Sequence, residues 1–304
     1  MFIHPNEFEL FQHLHGTGGA GPEHGQDNAP ASEDGRSSPL RVTLRKLAGH
    51  DGGRDVLHPL DLDIAAGQFV AVVGRAGSGT RTLLRLLAGQ ARPVGEHGGA
   101  PARSPVLVDN FPLWAPDPRV RLLLPDARLL PWKRVIDNVA LGLPERGRAV
   151  AALRQVNLER NAHDWPASLS DAQRQRAALA RALARGPGLI LLDEPFGRLD
   201  ALARIGMQGE MEAAWRQQGF TAVLATQDAA EAVAVADRIL VLDAGQVALD
   251  EHVDLPRPRM RGSAAFSSLE ARVLRAALGH PDTPEPDGRP LAPVIQIRHL
   301  RLAV

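Results

Sequence analysis

Four short runs of this chain are apolar at almost every position: FVAVV (69–73), LILLD (189–193), FTAVLAT (220–226) and RILVL (238–242). A strand with one face in water alternates apolar and polar residues, whereas a strand covered on both faces has no polar positions to spare. Helical spacing separates the runs; after the first, Leu83, Leu84, Leu86 and Leu87 make one apolar face. Strand–helix alternation of this kind implies an α/β fold with a largely parallel sheet covered on both faces. LRVTL (40–44) and VLHPLDLDI (56–64) alternate as half-buried strands do, and VLV (106–108) and VRLLL (120–124) read as further strands.

The rest of the chain divides around this core. Residues 12–39 are rich in Gly, Pro, Ser and acidic residues and lack an apolar period, so residues 1–39 read as a disordered leader. His13, His15 and His24 lie in it and read as a solvated tail rather than a metal site. The main body is expected over 40–255, with a helical lobe inserted at about 126–185. Residues 256–304 hold a helix around SSLEARVLRAAL, a Pro-rich linker and an alternating segment, PVIQIRHLRLAV, suited to an edge strand or to self-association.

Composition removes several functions. Without cysteine there are no disulfides, thiolate nucleophiles or cysteine-ligated zinc. With 35 basic and 35 acidic side chains, no global field draws in nucleic acid or anionic lipid. No run approaches the roughly 18 apolar residues of a membrane span, and MFIHPNEFEL lacks the features of a secretory signal. The expectation is a cytoplasmic protein that reaches a membrane only through a partner.

The stretch VAVVGRAGSGTRTLLRLLAG (70–89) is strand, glycine turn, helix, the setting of a phosphate-binding loop. Backbone N–H groups around Gly77 and Gly79, at a helix N-terminus, would cradle an anion. The pattern G-x-x-x-x-G-K-[ST] is met at Gly74 and Gly79 and missed at its last two positions, Thr80 and Arg81. Thr82 keeps a hydroxyl one residue later. Glycines alone say little, because any tight strand-to-helix turn needs them.

LSDAQRQRAALARAL (169–183), LILLDEP (189–195) and FGRLD (196–200) follow in an order and spacing that resemble the ATP-binding subunits of ABC transporters. The resemblance spans roughly 40–275. GQFVAVVGRAGSG, DARLLPWKRVIDNV, DEPFGRLDALAR, QDAAEAVAVADRILVL and VDLPRPR are most similar to bacterial importers of aliphatic sulfonates, whose relatives carry taurine and nitrate. The resemblance implies a RecA-like P-loop core with an inserted helical lobe, binding ATP and Mg²⁺. It implies that Gly74, Gly77, Gly79 and residues 80–82 hold phosphates, that Asp193 holds the metal and that Glu194 activates water. It places Ser170 and Gln173 of the signature, and Asp200, toward a nucleotide shared with a second ATP-binding subunit, a copy or a paralogue. The implied partners are membrane permease subunits and, indirectly, a periplasmic binding protein; nucleic acid is not among them. The implied location is peripheral, on the cytoplasmic side of the bacterial inner membrane, with the permease docking near Pro125 to Trp132.

Against the family pattern this chain departs at several positions. Thr80 stands at the lysine, and losing a charge-assisted hydrogen bond costs on the order of 1.5–3 kcal/mol. Arg81 stands at the metal-binding hydroxyl and has five donors and no acceptor. Pro125 stands at a glutamine, Asp171 and Ala172 at the paired glycines of the signature, and Gln227 at a histidine. The adenine-stacking aromatic is missing from AGHDGGRDV, where His50 is the nearest flat ring. The expectation is weak nucleotide binding and little hydrolysis. Both composite sites of a head-to-tail pair would be affected, one through this loop and the other through LSDAQ. Two readings stay open: an energising importer subunit with weak or absent hydrolysis, or a structural or regulatory mimic of one, in which Asp193-Glu194 simply persists at a strand end. Ser170 and Gln173 also have a purely structural reading, as a capping box that starts a helix with Ala178, Leu179, Ala182 and Leu183 on its buried face.

Overall fold

The computed structural model describes residues 37–94 and 103–279. The leader up to residue 36 and the segment PVIQIRHLRLAV lie outside the described residues. A six-stranded sheet forms the centre, in the order β10-β9-β3-β8-β7-β6. Its members are β3 (Phe69–Val73), β6 (Val120–Leu123), β7 (Leu189–Asp193), β8 (Thr221–Thr226), β9 (Arg238–Asp243) and β10 (Gln246–His252). All pairings from β6 to β9 are parallel, and β10 returns antiparallel as the edge strand. The all-apolar runs have the expected cause. Phe69, Ala71 and Val73 enter one core with Ile190, Leu192, Ala222 and Leu224. Val70 and Val72 enter the core on the opposite face with Leu189, Leu191, Val223 and Leu240.

The two alternating strands near the start build a different layer. β1 (Val42–Asp51) and β2 (Arg54–Ile64) pair antiparallel, and β1 continues to β4 (Val106–Val108) and β5 (Phe111–Pro112) in a second sheet. This sheet covers helix α1 (Thr80–Leu87), whose Leu83, Leu84, Leu86 and Leu87 are buried between it and the central sheet.

The segment after β6 is helical, with α2 (Val135–Val139), α3 (Arg146–Gln155) and α4 (Asp171–Leu183) and two short 3₁₀ turns. Helix α4 begins with the anticipated box: Ser170 Oγ accepts from Gln173 N at 3.2 Å, and Gln173 Oε1 accepts from Ser170 N at 2.9 Å. Helix α5 (Ala201–Gln218) is capped by Asp200, whose Oδ1 accepts from the N–H groups of Leu202 and Ala203. Helices α6 (Ala229–Val235) and α7 (Ala264–Ala277) complete the larger core, α7 through Phe266, Leu269 and Val273. Among the described residues no helix is long and apolar enough to cross a membrane.

Candidate functional site

Parallel strands place all their carboxyl ends on one edge, where ligands bind in folds of this type. β3 and β7 flank β8, so Gly74, Asp193-Glu194 and Thr226-Gln227 meet there. Gly74 N donates to Thr226 O at 3.2 Å and Glu194 N to Ala225 O at 3.0 Å. The open cleft above them, about 160 Å³, is lined by Gly77, Gly79, Thr80, Arg81, Thr82, Asp193, Glu194 and Gln227. Asp51 and Val56, from the β1–β2 hairpin, and Arg75 close its remaining sides.

The loop requires its glycines. Gly77 and Gly79 have φ of +86° and +99°, a region that side chains disfavour. A Cβ on Gly79 would stand 2.5 Å from the Val56 carbonyl oxygen, and one on Gly74 only 2.2 Å from Ser78 Oγ. Helix α1 has no side-chain cap hydrogen bond, and its first turn, whose N–H groups have no acceptor within any α-helix, lines the cleft at the positive end of the helix dipole. The loop backbone therefore has the shape that an anion cradle requires.

The side chains differ from a cradle for a metal–triphosphate. Arg81 Nε donates to Asp193 Oδ2 at 3.2 Å, with Arg81 66% exposed and Asp193 7%. Burial pushes the Asp193 carboxyl above its ordinary range, opposed by the charge and hydrogen bond of Arg81. Thr82 is buried with its methyl directed at Gly49 of β1, so no one-residue shift brings its hydroxyl to Arg81's place. Gln227 Nε2 donates to Glu194 Oε1 at 2.7 Å. Glu194 itself sits at φ +43°, which non-glycine residues seldom adopt outside functional or strained positions.

Ser170, Gln173 and Asp200 do not line this cleft; their side chains serve the two helix caps. Asp171 is ion-paired with Arg174 and lines a separate cleft with Pro125, Gln175 and Arg198. The backbone beside Pro125 is tied to α4 by other residues: Gln175 Nε2 donates to Leu124 O at 3.0 Å, and Arg181 donates to Ala127 O and Arg128 O. His50 Nε2 contacts Asp55 Oδ1, and His50 does not line the cleft. Among the described residues no aromatic ring lines the cleft, and Asp51 and Val56 stand on the side of the β1–β2 hairpin.

Residues 57–197 match the profile of the family described as ABC transporter. The aliphatic sulfonates import ATP-binding protein SsuB of Pseudomonas entomophila is 54% identical over 271 residues, 88% of this chain and 95% of that protein. SsuB of Cupriavidus pinatubonensis is 48% identical, over 88% of this chain and 87% of that protein. The chain belongs to the ATP-binding subunits of ABC transporters. A solved dimer of the ATP-binding cassette MJ0796, described as a post-hydrolysis state bound to ADP and Pi, has a TM-score of 0.59 at 28% identity, over 70% of this chain and 98% of that one. The structure of cbiO1 from Clostridium perfringens, described as part of the ABC transporter complex cbiONQ, has the same fold at 22% identity and a TM-score of 0.64, over 78% of this chain and 95% of that one.

Within this family ATP is accompanied by Mg²⁺, which takes oxygen ligands. The residues present do not fit that ion as the motif would hold it. Arg81 offers no lone pair, and the nearer oxygen of Asp193 already accepts from it.

Sequence reasoning missed a cluster beneath Gln227. Arg204 on α5 donates to Asp228 Oδ2 at 3.2 Å and to Leu199 O at 3.3 Å, and its Nε lies 3.5 Å from Glu231 Oε1. Thr226 Oγ1 donates to Glu231 Oε2 at 2.6 Å and accepts from Asp228 N. Burial raises the pKa of Glu231, partly offset by the Thr226 hydrogen bond. The cluster braces the backbone on both sides of Gln227 against the loop that contains Leu199 and Asp200. No sequence signal marks it, because its members come from three elements and resemble ordinary surface polar residues.

Proposed function

We propose that this chain is the ATP-binding, energy-coupling subunit of an importer for aliphatic sulfonates, and that it hydrolyses ATP slowly or not at all. The cargo class is supported by 54% and 48% identity to aliphatic-sulfonate import proteins over 88% of the chain. In this reading the subunit pairs head to tail with a second ATP-binding subunit, a copy or a paralogue. It lies on the cytoplasmic face of the inner membrane against permease subunits, and a periplasmic binding protein supplies the solute. Trp132, 69% exposed, stands at the end of the Pro125–Trp132 segment assigned to the permease.

The loop N–H groups from Gly77 onward bind phosphate oxygens, Asp193 and Glu194 face the reacting end, and Ser170, Gln173 and Asp200 face the partner's nucleotide. Slow hydrolysis rests on one observation, the Arg81–Asp193 contact where metal ligands belong. Gln227 adds to it, because its amide occupies a Glu194 oxygen and, unlike histidine, carries no titratable proton. Electrostatic stabilisation and base activation work as a unit, so a well-placed Glu194 contributes little once the cation is lost.

A second reading, a non-hydrolysing structural or regulatory mimic, is favoured by Asp171, which alters the signature half as well. A carboxylate there repels the γ-phosphate of the partner's nucleotide. Co-expression with the cognate permease separates the two readings: sulfonate uptake with this subunit alone supports the first, and uptake only with an added intact subunit supports the second. No co-purification with the permease refutes both.

A further inference from the structure

The Arg81 guanidinium reaches into the cleft from the first turn of α1, and Asp193 reaches into it from the end of β7. Their 3.2 Å contact fills the gap between strand end and phosphate cradle with a covalently attached positive charge. Among the described residues two arginines line the cleft, Arg75 and Arg81. Arg75 is engaged elsewhere, donating to Asp243 Oδ1 at 3.0 Å, so Arg81 is the cation aimed at whatever occupies the cradle. Its side chain is 66% exposed and can turn from the carboxylate to a phosphate without disturbing the core.

We propose that Arg81 replaces the divalent cation in this loop, so that the site binds polyphosphate in its metal-free form and Mg²⁺ opposes binding. This rests on the reading of the cleft as a nucleotide site, but not on hydrolysis or transport.

The physical argument has three parts. A guanidinium binds phosphate oxygens through paired N–H donors and needs no metal to do so. A Mg²⁺ carried in on ATP would withdraw the β- and γ-oxygens that Arg81 needs. It would also set a dication against a fixed cation, and in a partly desolvated cleft like charges a few ångströms apart repel strongly. Asp193, the buried carboxylate among the described residues lining the cleft, would soften that repulsion but is already paired with Arg81. Asp51 and Glu194 also line the cleft and disfavour a highly charged anion, so Asp193 competes with phosphate for Arg81. Asp193 thereby becomes a brake on binding, the reverse of a metal ligand's role.

The test is equilibrium binding of ATP and of inorganic triphosphate to the full chain, in excess EDTA and in excess Mg²⁺, followed by calorimetry. The wild type should bind both probes at least about fivefold tighter in EDTA. Asp193→Asn frees Arg81 and removes a negative charge, and should raise metal-free affinity further, whereas loss of a metal ligand would lower affinity in Mg²⁺. Arg81→Ser should abolish metal-free binding, and the double change Thr80→Lys with Arg81→Ser should reverse the preference to Mg²⁺. Thermal melts of each variant establish that it is folded. Tighter binding in Mg²⁺ than in EDTA, equal binding in both, or no binding in either overturns the inference, as does weaker metal-free binding by folded Asp193→Asn. Failure of the importer reading shows elsewhere, as a lack of permease association, and leaves these titrations unchanged.

Discussion

Gln227 Nε2 and Glu194 Oε1 meet at 2.7 Å across the carboxyl ends of two adjacent parallel strands. The pairing of Asp193 with Ala225 and the bond from Glu194 N to Ala225 O hold the two backbones together, and the amide-to-carboxylate bond extends that ladder into the cleft. The carboxylate that would take a proton from water is thus tethered by a neutral donor.

Turnover should accordingly be low. We expect phosphate release below about 0.1 s⁻¹, against a median near 10 s⁻¹ for ordinary enzymes. Glu194→Gln should leave that residual rate almost unchanged, and Gln227→His alone should not restore activity, because the remaining groups act only together. Wild-type turnover of about 1–10 s⁻¹ in a phosphate-release assay would show that the cradle still works.

Gly79 cannot accept a side chain. Its φ of +99° and the Val56 oxygen, 2.5 Å from where a Cβ would stand, act together. Gly79→Ala should lower stability by roughly 1–3 kcal/mol, the range for strained backbone. Gly77→Ala, with the same handedness but open space around it, should cost less; urea unfolding of the two variants checks the order.

Ser170 works as a cap whether or not it also meets a partner's nucleotide. Ser170→Ala should cost about 1 kcal/mol of stability, and Ser170→Asp much less, since aspartate caps equally well. Equal losses for both variants in chemical denaturation would argue against the cap as the source of the effect.

Glu231 gives a pH signature. Its folded pKa lies above the unfolded value, so below the ordinary glutamate pKa of about 4.3 it is protonated in both states and carries no penalty. As pH rises from there through the folded pKa, the unfolded chain loses its proton first and folding stability falls. Glu231→Gln keeps a partner for Thr226 and cannot ionise. Its stability relative to wild type should increase across that window and then level off, as measured by denaturation at a series of pH values.

The parallel sheet was legible in the sequence because burial on both faces leaves an unmistakable pattern, and FVAVV, LILLD, FTAVLAT and RILVL all became strands of it. The glycine loop, the apolar face of α1 and the Ser170–Gln173 box were legible for a similar reason: each is set by residues within a few positions of one another. Contacts between distant positions were not. Arg81 and Asp193 are 112 residues apart, and nothing local to either announces that a guanidinium fills the place beside the carboxylate. Likewise Gln227 could be named as a departure, but only the side-by-side placement of β7 and β8 ties it to Glu194, and only the return of α5 brings Arg204 under Thr226 and Glu231. Local patterns decide which elements form because backbone conformation and burial periodicity are short-range. The electrostatics of the cleft depend on which strand ends the sheet order brings together, and that is a property of the folded chain.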